Sequence, residues 1–183
     1  RELFQPDPFW FYRSTDGGTS WAKPASGPSL VTNACFSTTG VLYAATDSST
    51  VYKFASGSWS SSNCGLNAVS IVACDPNSAT RVIAFGAGGG AVETTNSASS
   101  WGTAIQTGAQ TRTATDIPWL AWTNEGYMSA GLISFDKVTA NKILFSEGIG
   151  FWTASLSSGF TSLAWTSMSL GIEELVGKHV YQP

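Results

Sequence analysis

Charged residues are scarce in this chain of 183 residues. Asp, Glu, Lys and Arg make up only 11% of it, against about a quarter in an ordinary globular domain. The net charge is −3, and no run of Lys or Arg is present. We therefore expect no nucleic-acid partner, because proteins that bind nucleic acids carry a basic stripe or patch.

Long hydrophobic runs are also missing. No apolar stretch approaches the roughly 18 residues that a membrane-spanning helix needs, so we expect no membrane partner. Hydrophobic residues nevertheless make up 43% of the chain, with eight Trp and ten Phe. This apolar content excludes a disordered chain, and together with turns rich in Ser, Thr and Gly it favours an all-β protein.

Cysteine and histidine are few. Cys35, Cys64 and Cys74 are an odd number with no C-x-x-C spacing, which excludes a disulfide framework and a zinc knuckle. We expect three buried thiols, with one disulfide plus one free thiol as the alternative. The one histidine, His179, cannot build a multi-histidine metal site, and we expect no metal and no cofactor.

Three stretches, residues 34–59, 72–101 and 133–165, share one plan. Each has an apolar strand, a polar turn, a second strand, a short turn and a third strand, and each closes on a Trp. The second strands are VLYAAT, RVIAFG and KILFSE, and the third strands are TVYKF, GAVETT and GIGFWTAS. Alternation in TVYKF puts Val51 and Lys53 on one face and Tyr52 and Phe54 on the other.

The closing tryptophans are Trp21, Trp59, Trp101 and Trp165. The first two gaps are 38 and 42 residues (59 − 21 and 101 − 59), and the third is 64 (165 − 101). A repeat near 40 with about four strands is typical of β-propeller blades. We predict three to four blades of four antiparallel strands, forming part of a larger propeller. The approximate units are 1–21 (partial), 22–59, 60–101, 102–165 with an inserted loop at 102–130, and 166–183 as the start of the next.

A turn motif, Ser14-x-Asp16-x-Gly18-x-x-Trp21, follows the first strand-like segment. It recurs in weaker form as Thr94-x-Asn96-x-Ala98-x-x-Trp101. Short polar side chains of this kind bond backbone amides, and glycine permits a positive φ. A catalytic residue is not expected to recur in each blade, so we interpret both motifs as structural turns. An EF-hand is excluded, because its ladder of calcium ligands is missing.

The turn motif resembles the Asp-box of sialidases, sortilin-type receptors and family-74 glycoside hydrolases. The segment ACDPNSATRVIAFG, and the pair FSEGIGFW and GIEELV, resemble the family-74 xyloglucanases, and the likeness runs from about residue 12 onward. It implies a secreted, endo-acting β-glucanase in which two propellers face each other across a cleft and two aspartates act as acid and base. Those aspartates belong to turns that this sequence does not contain. We therefore expect an extracellular fragment, inactive by itself, that is completed by further blades from the same or another chain.

Candidate ligand contacts concentrate in residues 113–131. Aromatic rings stack on the apolar faces of sugars, so the predicted polysaccharide platforms are Trp119, Trp122 and Tyr127. Asp116 and Glu125 are weak candidates for a catalytic pair, since glycoside hydrolysis needs two carboxyl groups about 5–10 Å apart. The alternative is that the tryptophans are core residues of an irregular blade edge.

Other polar residues carry weaker predictions. Glu147 lies at a strand end, and Glu173 and Glu174 are solvated or pair with Lys178. The glycine-rich segment 86–90 has no following helix or nearby Lys, so it predicts a hairpin turn and not a phosphate loop. His179 has no nucleophile motif around it.

The resemblance thus implies a propeller segment that supplies scaffold and one wall of a cleft for a plant β-glucan such as xyloglucan. The alternative is a non-catalytic propeller that serves binding or assembly, as in receptor ectodomains or virion parts. A sialidase is a third and weaker hypothesis, because the arginines that would clamp a carboxylate lie far apart in the sequence. They are Arg1, Arg13, Arg81 and Arg112.

Overall fold

The computed structural model describes residues 3–6, 11–24, 26–118, 131–147 and 150–171. Within these ranges the chain is all-β, apart from a single 3-10 turn at Thr107–Ala109. The strands are β1 (Leu3–Pro6), β2 (Phe11–Ser14), β3 (Asn33–Phe36), β4 (Leu42–Ala45), β5 (Thr50–Ala55), β6 (Ser58–Asn63), β7 (Val69–Cys74), β8 (Val82–Gly86), β9 (Ala91–Thr94), β10 (Gln110–Thr113), β11 (Leu132–Phe135), β12 (Lys142–Glu147), β13 (Gly150–Ser155) and β14 (Leu163–Ser167).

These strands form four sheets. The first is the hairpin β1-β2, the second has the order β3-β4-β5-β6, the third β7-β8-β9, and the fourth β10-β14-β13-β12-β11. All neighbouring strands are antiparallel except β10 and β14, which run parallel. The strands predicted within the three repeated stretches are confirmed, and the parallel strand β10 was not expected.

The third sheet has a fourth, irregular member. Residues 102–105 run along β9, where the Gly102 N–H donates to the Glu93 carbonyl at 2.9 Å and Ala91 and Ile105 exchange two backbone bonds. Ala22 lies against Arg13 of β2 in the same way, through two bonds of 2.9 Å. The four-strand plan therefore extends beyond the second and fourth sheets, in which β3–β6 and β11–β14 form continuous antiparallel ladders.

The sheets stack face to face, and an apolar layer fills each gap. Strand β8 shows why: Val82 and Ala84 point into the layer shared with the second sheet, whereas Ile83 and Phe85 point into the layer shared with the fourth. A strand buried on both faces gives a continuous apolar run, as RVIAFG does. The layer between the first and second sheets is smaller and contains Leu42 and Phe54.

The alternation predicted for β5 is confirmed. Val51 belongs to the layer facing the third sheet, and Phe54 to the layer facing the first. Lys53 points the same way as Val51, because its Nζ donates to the Ser97 carbonyl at 3.0 Å.

The closing tryptophans differ in their environments. Trp165 is buried, packs against Phe145 with ring centroids 5.1 Å apart, and donates from Nε1 to the Gln110 Oε1 at 2.8 Å. That bond attaches β10 to β14. Trp101 donates to Ser62 Oγ of the preceding sheet at 2.9 Å, whereas Trp21 is 39% exposed.

The expectation of three thiols is wrong. Cys35 of β3 and Cys74 of β7 form a disulfide, and Cys64 is a buried free thiol. The bond forms because β3 and β7, although 39 residues apart in sequence, lie side by side with the two Cα atoms 5.7 Å apart. Burial raises the pKa of the Cys64 thiol, which keeps it protonated and unreactive.

Candidate functional site

Several predicted site residues lie outside the described part of the chain. They are Trp119, Trp122, Glu125, Tyr127, Glu173, Glu174, Lys178 and His179. Glu147 is the last residue of β12. Of the predicted ligand contacts, Asp116 can therefore be placed.

Asp116 joins two distant parts of the fourth sheet. Its Oδ2 accepts the backbone N–H groups of Ser169 at 2.7 Å and Leu170 at 3.2 Å, just beyond the end of β14. Burial raises the pKa of Asp116, but the Ser167 hydroxyl and these amides outweigh that effect and lower it. The carboxylate is therefore ionised at neutral pH and holds the segment after β10 to the end of β14.

The first turn, residues 14–21, is held by two side chains. Ser14 Oγ donates to Asp16 Oδ1 at 2.8 Å and accepts the Gly18 N–H at 2.8 Å. Asp16 in turn accepts the Ser20 N–H at 2.9 Å and the Ser20 hydroxyl at 2.6 Å. Hydrogen bonds from the hydroxyl and amide of Ser20, and from Ser14, lower the pKa of Asp16. Trp21 Nε1 closes the turn on the Gly18 carbonyl at 3.1 Å.

The second turn, residues 94–101, repeats this scheme with other residues. Thr94 Oγ1 donates to Asn96 Oδ1 at 2.9 Å and accepts the Ala98 N–H at 3.1 Å. Asn96 accepts the Ser100 N–H at 2.9 Å. The Asn96 Nδ2 donates a hydrogen bond to the Ser100 hydroxyl at 2.7 Å. In the first turn the direction is reversed, because the Asp16 carboxylate accepts from the Ser20 hydroxyl. The same turn thus exists in a charged and a neutral form.

A third, related turn was missed in the sequence. At the end of β13, Ser157 Oγ accepts the Thr161 N–H at 3.3 Å and lies 3.5 Å from the Thr161 hydroxyl. Ser157 and Thr161 are four residues apart in sequence, as Asp16 and Ser20 are in the first turn. The motif lacks both Asp and Trp, so only its serine and a following glycine, Gly159, could have signalled it.

An inner cavity of about 330 Å³ lies where three sheets meet. Its walls come from β3, β7 and β11, each of which is the end strand of its sheet. Phe36 lines it with half of its surface exposed, and Leu132 lines it from the opposite strand. Ser134 and Lys137 add a hydroxyl and a cation. Phe36 also lines a separate cavity beside the first sheet, where its ring lies 5.8 Å from the Phe4 ring. The inner cavity therefore combines apolar residues with polar groups.

The disulfide and a set of side-chain bonds support this cavity. Cys35 and Cys74 both line it. Beside them Asn33 Oδ1 accepts the Val72 N–H at 3.0 Å, and Thr32 Oγ1 donates to the Ser70 carbonyl at 3.0 Å. These bonds connect β3 to β7 without a backbone ladder, so the two strands are held at a fixed separation.

Arg81 pairs with two carboxylates of the third sheet and also contacts the fourth sheet. Its Nε donates to Glu93, and its Nη1 donates to Asp75 at 3.3 Å and to Asn141 Oδ1 in the β11–β12 turn. The Arg81, Glu93 and Asp75 side chains are only 14%, 10% and 6% exposed. The guanidinium also lies 5.6 Å from the centroid of the Phe135 ring.

Other classes of site find no support in the described part. The hairpin turn predicted for residues 86–90 is confirmed by bonds from Gly86 N to the Gly90 carbonyl at 2.8 Å and from Gly89 N to the Gly86 carbonyl at 2.9 Å. The described residues include no group of three or more His, Cys, Asp or Glu that could hold a metal ion. The one helical turn in the described ranges, Thr107–Ala109, is too short to cross a membrane.

Comparison with solved structures shows which known folds this chain resembles. No protein-family model matches the sequence, and no curated protein matches it significantly. Among solved structures, YCF48 bound to D1 peptide matches with a TM-score of 0.61 and 14% identity over 93% of this chain. An ancestral GH74 enzyme matches with a TM-score of 0.62 and 15% identity over 91%. YCF48 from Cyanidioschyzon merolae matches with a TM-score of 0.57 and 14% identity over 94%.

The fold is a set of β-propeller blades. The chain spans 51% and 54% of the two YCF48 chains and 22% of the GH74 enzyme, so it corresponds to part of each of them. At these identities the likeness concerns the fold alone.

Proposed function

We propose that this chain is a segment of a secreted β-propeller protein of the family-74 type, in which it supplies scaffold and one wall of a cleft for a plant β-glucan such as xyloglucan. The observation that carries the proposal is the half-exposed Phe36, which lines the inner cavity while its ring lies on the face of β3 that points to the first sheet, 5.8 Å from the Phe4 ring. A glucan presents apolar ring faces flanked by hydroxyl groups, and an aromatic side chain beside polar groups suits both.

Three residues of the inner cavity have a role in this proposal. Phe36 stacks on a sugar ring, while Ser134 and Lys137 donate to its hydroxyls. Outside the described ranges, Trp119, Trp122 and Tyr127 are proposed to extend the platform along the polymer. The first and second turns are proposed to be Asp-boxes that fasten the blades.

The proposal assigns no cleavage step to the described residues. Several of their carboxylates stabilise the fold: Asp16 and Asp116 accept backbone amides, and Asp75 and Glu93 pair with Arg81. Asp136 likewise accepts the Val138 and Thr139 amides. The resemblance to family 74 locates the acid and the base in other parts of such a protein.

An extracellular location is part of the same proposal. The disulfide between Cys35 and Cys74 supports it, since such bonds persist in oxidising compartments and are rare in the cytosol.

Calorimetric titration of the full chain with a xyloglucan oligosaccharide tests the proposal. We expect saturable binding that Phe36→Ala weakens by about 2- to 10-fold, because a stacked ring contributes roughly 0.5–1.5 kcal/mol. Phe36→Tyr keeps the ring and is the matched control. Trp119→Ala and Trp122→Ala are expected to weaken binding similarly. Absence of saturable binding, or equal affinity for Phe36→Ala, would refute the glucan site.

A second candidate is a non-catalytic module that binds an extended peptide. The observation favouring it is that β3, β7 and β11 end their sheets at the inner cavity, and an edge strand can accept a peptide as an added strand. The peptide-bound YCF48 structure has a similar fold. Titration with a library of unstructured peptides separates the two: binding to peptides but not to glucan favours this candidate.

A further inference from the structure

A separate cavity, the turn cavity, lies where turns of the third and fourth sheets meet. Its volume is about 390 Å³, and it is lined by Arg81, Glu93 and Asn141, by Thr95 of the second turn and by residues 156–159 after β13. It shares no lining residue with the inner cavity. Binding sites for small molecules have volumes of about 300–1,000 Å³, so the turn cavity can take a small ligand.

Backbone hydrogen bonds fix the walls of the turn cavity. The Leu156 N–H donates to the Asn141 carbonyl at 2.7 Å, which joins the β11–β12 turn to the segment after β13. The Ser97 N–H donates to the Thr80 carbonyl at 2.9 Å, which holds the second turn against the residues before β8. The walls are therefore in place before a ligand arrives, which lowers the entropic cost of binding.

Arg81 and Glu93 bring charged groups to the cavity in fixed positions. Their side chains are only 14% and 10% exposed, and Arg81 Nε donates to Glu93 Oε1. Arg81 Nη1 donates to Asp75 and Asn141. Among the described residues, neither Arg81 Nη2 nor Glu93 Oε2 has a hydrogen-bond partner. A guanidinium donor and a carboxylate acceptor are therefore available on two paired groups that line the cavity.

The charge of this cluster selects among ligands. Arg81 carries one positive charge, and Asp75 and Glu93 carry one negative charge each, so the formal charge is −1 (1 − 2). This charge disfavours an anion, and a cation leaves the Nη2 donors of Arg81 unused. A neutral ligand with neighbouring hydroxyl groups suits both atoms, because one hydroxyl donates to the carboxylate while the next accepts from the guanidinium.

Two exposed hydroxyl groups lie at the rim of the turn cavity. Thr95 and Ser158 line it, and neither hydroxyl makes a hydrogen bond to another described residue. Both can donate to or accept from further hydroxyls of a ligand.

We propose that the turn cavity binds a sugar residue through two neighbouring hydroxyl groups, one donating to Glu93 Oε2 and the other accepting from Arg81 Nη2. Thr95 and Ser158 bond its remaining hydroxyls. The site does not depend on the glucan function proposed above, because the two cavities have no residue in common. It recognises hydroxyl groups, whereas the glucan proposal relies on stacking against a ring face.

The test follows amide chemical shifts of the full chain during titration with methyl β-D-xyloside, methyl β-D-glucoside and methyl β-D-galactoside. We expect at least one of these uncharged probes to bind saturably, with shifts at residues 93–95, 141 and 156–159. Added salt should not weaken this binding, because the ligand carries no charge. Tetrahydropyran-2-methanol has the ring but a single hydroxyl and should not saturate. Failure of all three glycosides, or equal binding of the single-hydroxyl compound, would overturn the proposal.

Thr95→Val should weaken glycoside binding about two- to tenfold, as expected for the loss of one hydrogen bond. Thr15→Val is the matched control. Thr15 follows Ser14 in the first turn as Thr95 follows Thr94 in the second, and both threonines are exposed. The proposal requires the control to leave binding unchanged, and an equal effect of the two variants would overturn it.

Arg81→Lys tests the charged pair itself, because lysine keeps the charge but lacks the second donor nitrogen. Where its amide spectrum shows a folded chain, glycoside binding should weaken by at least about tenfold, and an unchanged affinity would overturn the proposal. If the variant does not fold, Thr95→Val decides. Competition by methylammonium at the same concentration would overturn the sugar assignment, because the cavity would then recognise a cation. Glucan binding at the inner cavity is scored separately, by Phe36→Ala, so the two proposals can fail independently.

Discussion

Asp16 and Asn96 fix two separate turns with the same hydrogen bond: each accepts the backbone N–H four residues on, at 2.9 Å. The acceptor is a carboxylate in the first turn and an amide in the second. The two turns can therefore be compared directly, because the hydrogen bonds of the first depend on the ionisation of a carboxylate and those of the second do not.

We predict that Asp16→Asn reduces the loss of stability in acid. Hydrogen bonds from Ser20 and Ser14 make the pKa of Asp16 lower in the folded chain than in the unfolded chain. This contribution is therefore fully present above the unfolded pKa of about 3.9 and is lost as the pH falls below it. Denaturant titrations between pH 2 and pH 7 should show a shallower acid slope for the variant. An unchanged slope would contradict the role of the carboxylate.

Asn96→Asp should have the opposite effect. The Ser100 hydroxyl would then donate to the new carboxylate, as Ser20 does to Asp16. The variant is expected to gain an acid-dependent contribution that the wild type lacks at this turn, measured by the same titrations. A pH profile identical to the wild type would show that the turns are not equivalent.

Backbone conformation at the two turns leads to a third prediction. Gly17 and Gly18 have φ values of 73° and 96°, and Ser97 and Ala98 are both at 59°. A non-glycine residue in this left-handed region is strained by about 1–2 kcal/mol, partly offset by the greater freedom of glycine in the unfolded chain. Ser97→Gly should therefore raise the free energy of unfolding by about 0.5–1 kcal/mol, and Gly17→Ala should lower it by a similar amount. Equal signs for the two changes would refute this explanation.

The disulfide gives a larger expected effect. It closes a loop with a sequence separation of 39 residues, for which chain entropy predicts about 3–4 kcal/mol of stabilisation. The double variant Cys35→Ala and Cys74→Ala should lose about that much in urea titrations and should no longer respond to reductant. Cys64→Ala is the control, because that thiol is not bonded. Equal sensitivity of the wild type and the double variant to reductant would contradict the bond.

Arg81 should be the most costly charged residue to replace. Arg81→Met leaves Asp75 and Glu93 nearly buried without their cation, which typically destabilises a protein by about 3–5 kcal/mol. Adding Asp75→Asn and Glu93→Gln removes the uncompensated charges and should recover part of the loss. If the triple variant is no more stable than Arg81→Met in urea titrations, the cost is one of packing and not of charge.

The sequence predicted the parts of this fold that depend on local pattern. The strands around Val51 and Ile83 follow alternating or continuous apolar runs, and the turn at Asp16 follows from short polar side chains with glycine. The elements that were missed depend on distant contacts. Cys35 meets Cys74 only because β3 and β7 lie side by side, and β10 pairs with β14 through Gln110 and Trp165.

The candidate site was predictable only in type. Aromatic residues beside polar groups were expected at Trp119, Trp122 and Tyr127, which lie outside the described residues, and Phe36 was not among the predicted contacts. That residue belongs to a strand whose partners across the inner cavity, β7 and β11, are far away in sequence. A half-exposed Phe within a strand pattern is indistinguishable from a core Phe until the sheets are stacked.

Mapping amide chemical shifts during titration with a xyloglucan oligosaccharide tests the central claim most directly. The account predicts saturable shifts in the strands around the inner cavity, residues 33–38, 72–74 and 132–137, and at the proposed platform residues Trp119, Trp122 and Tyr127. Shifts that are absent, or that fall elsewhere while these strands stay unchanged, would contradict it.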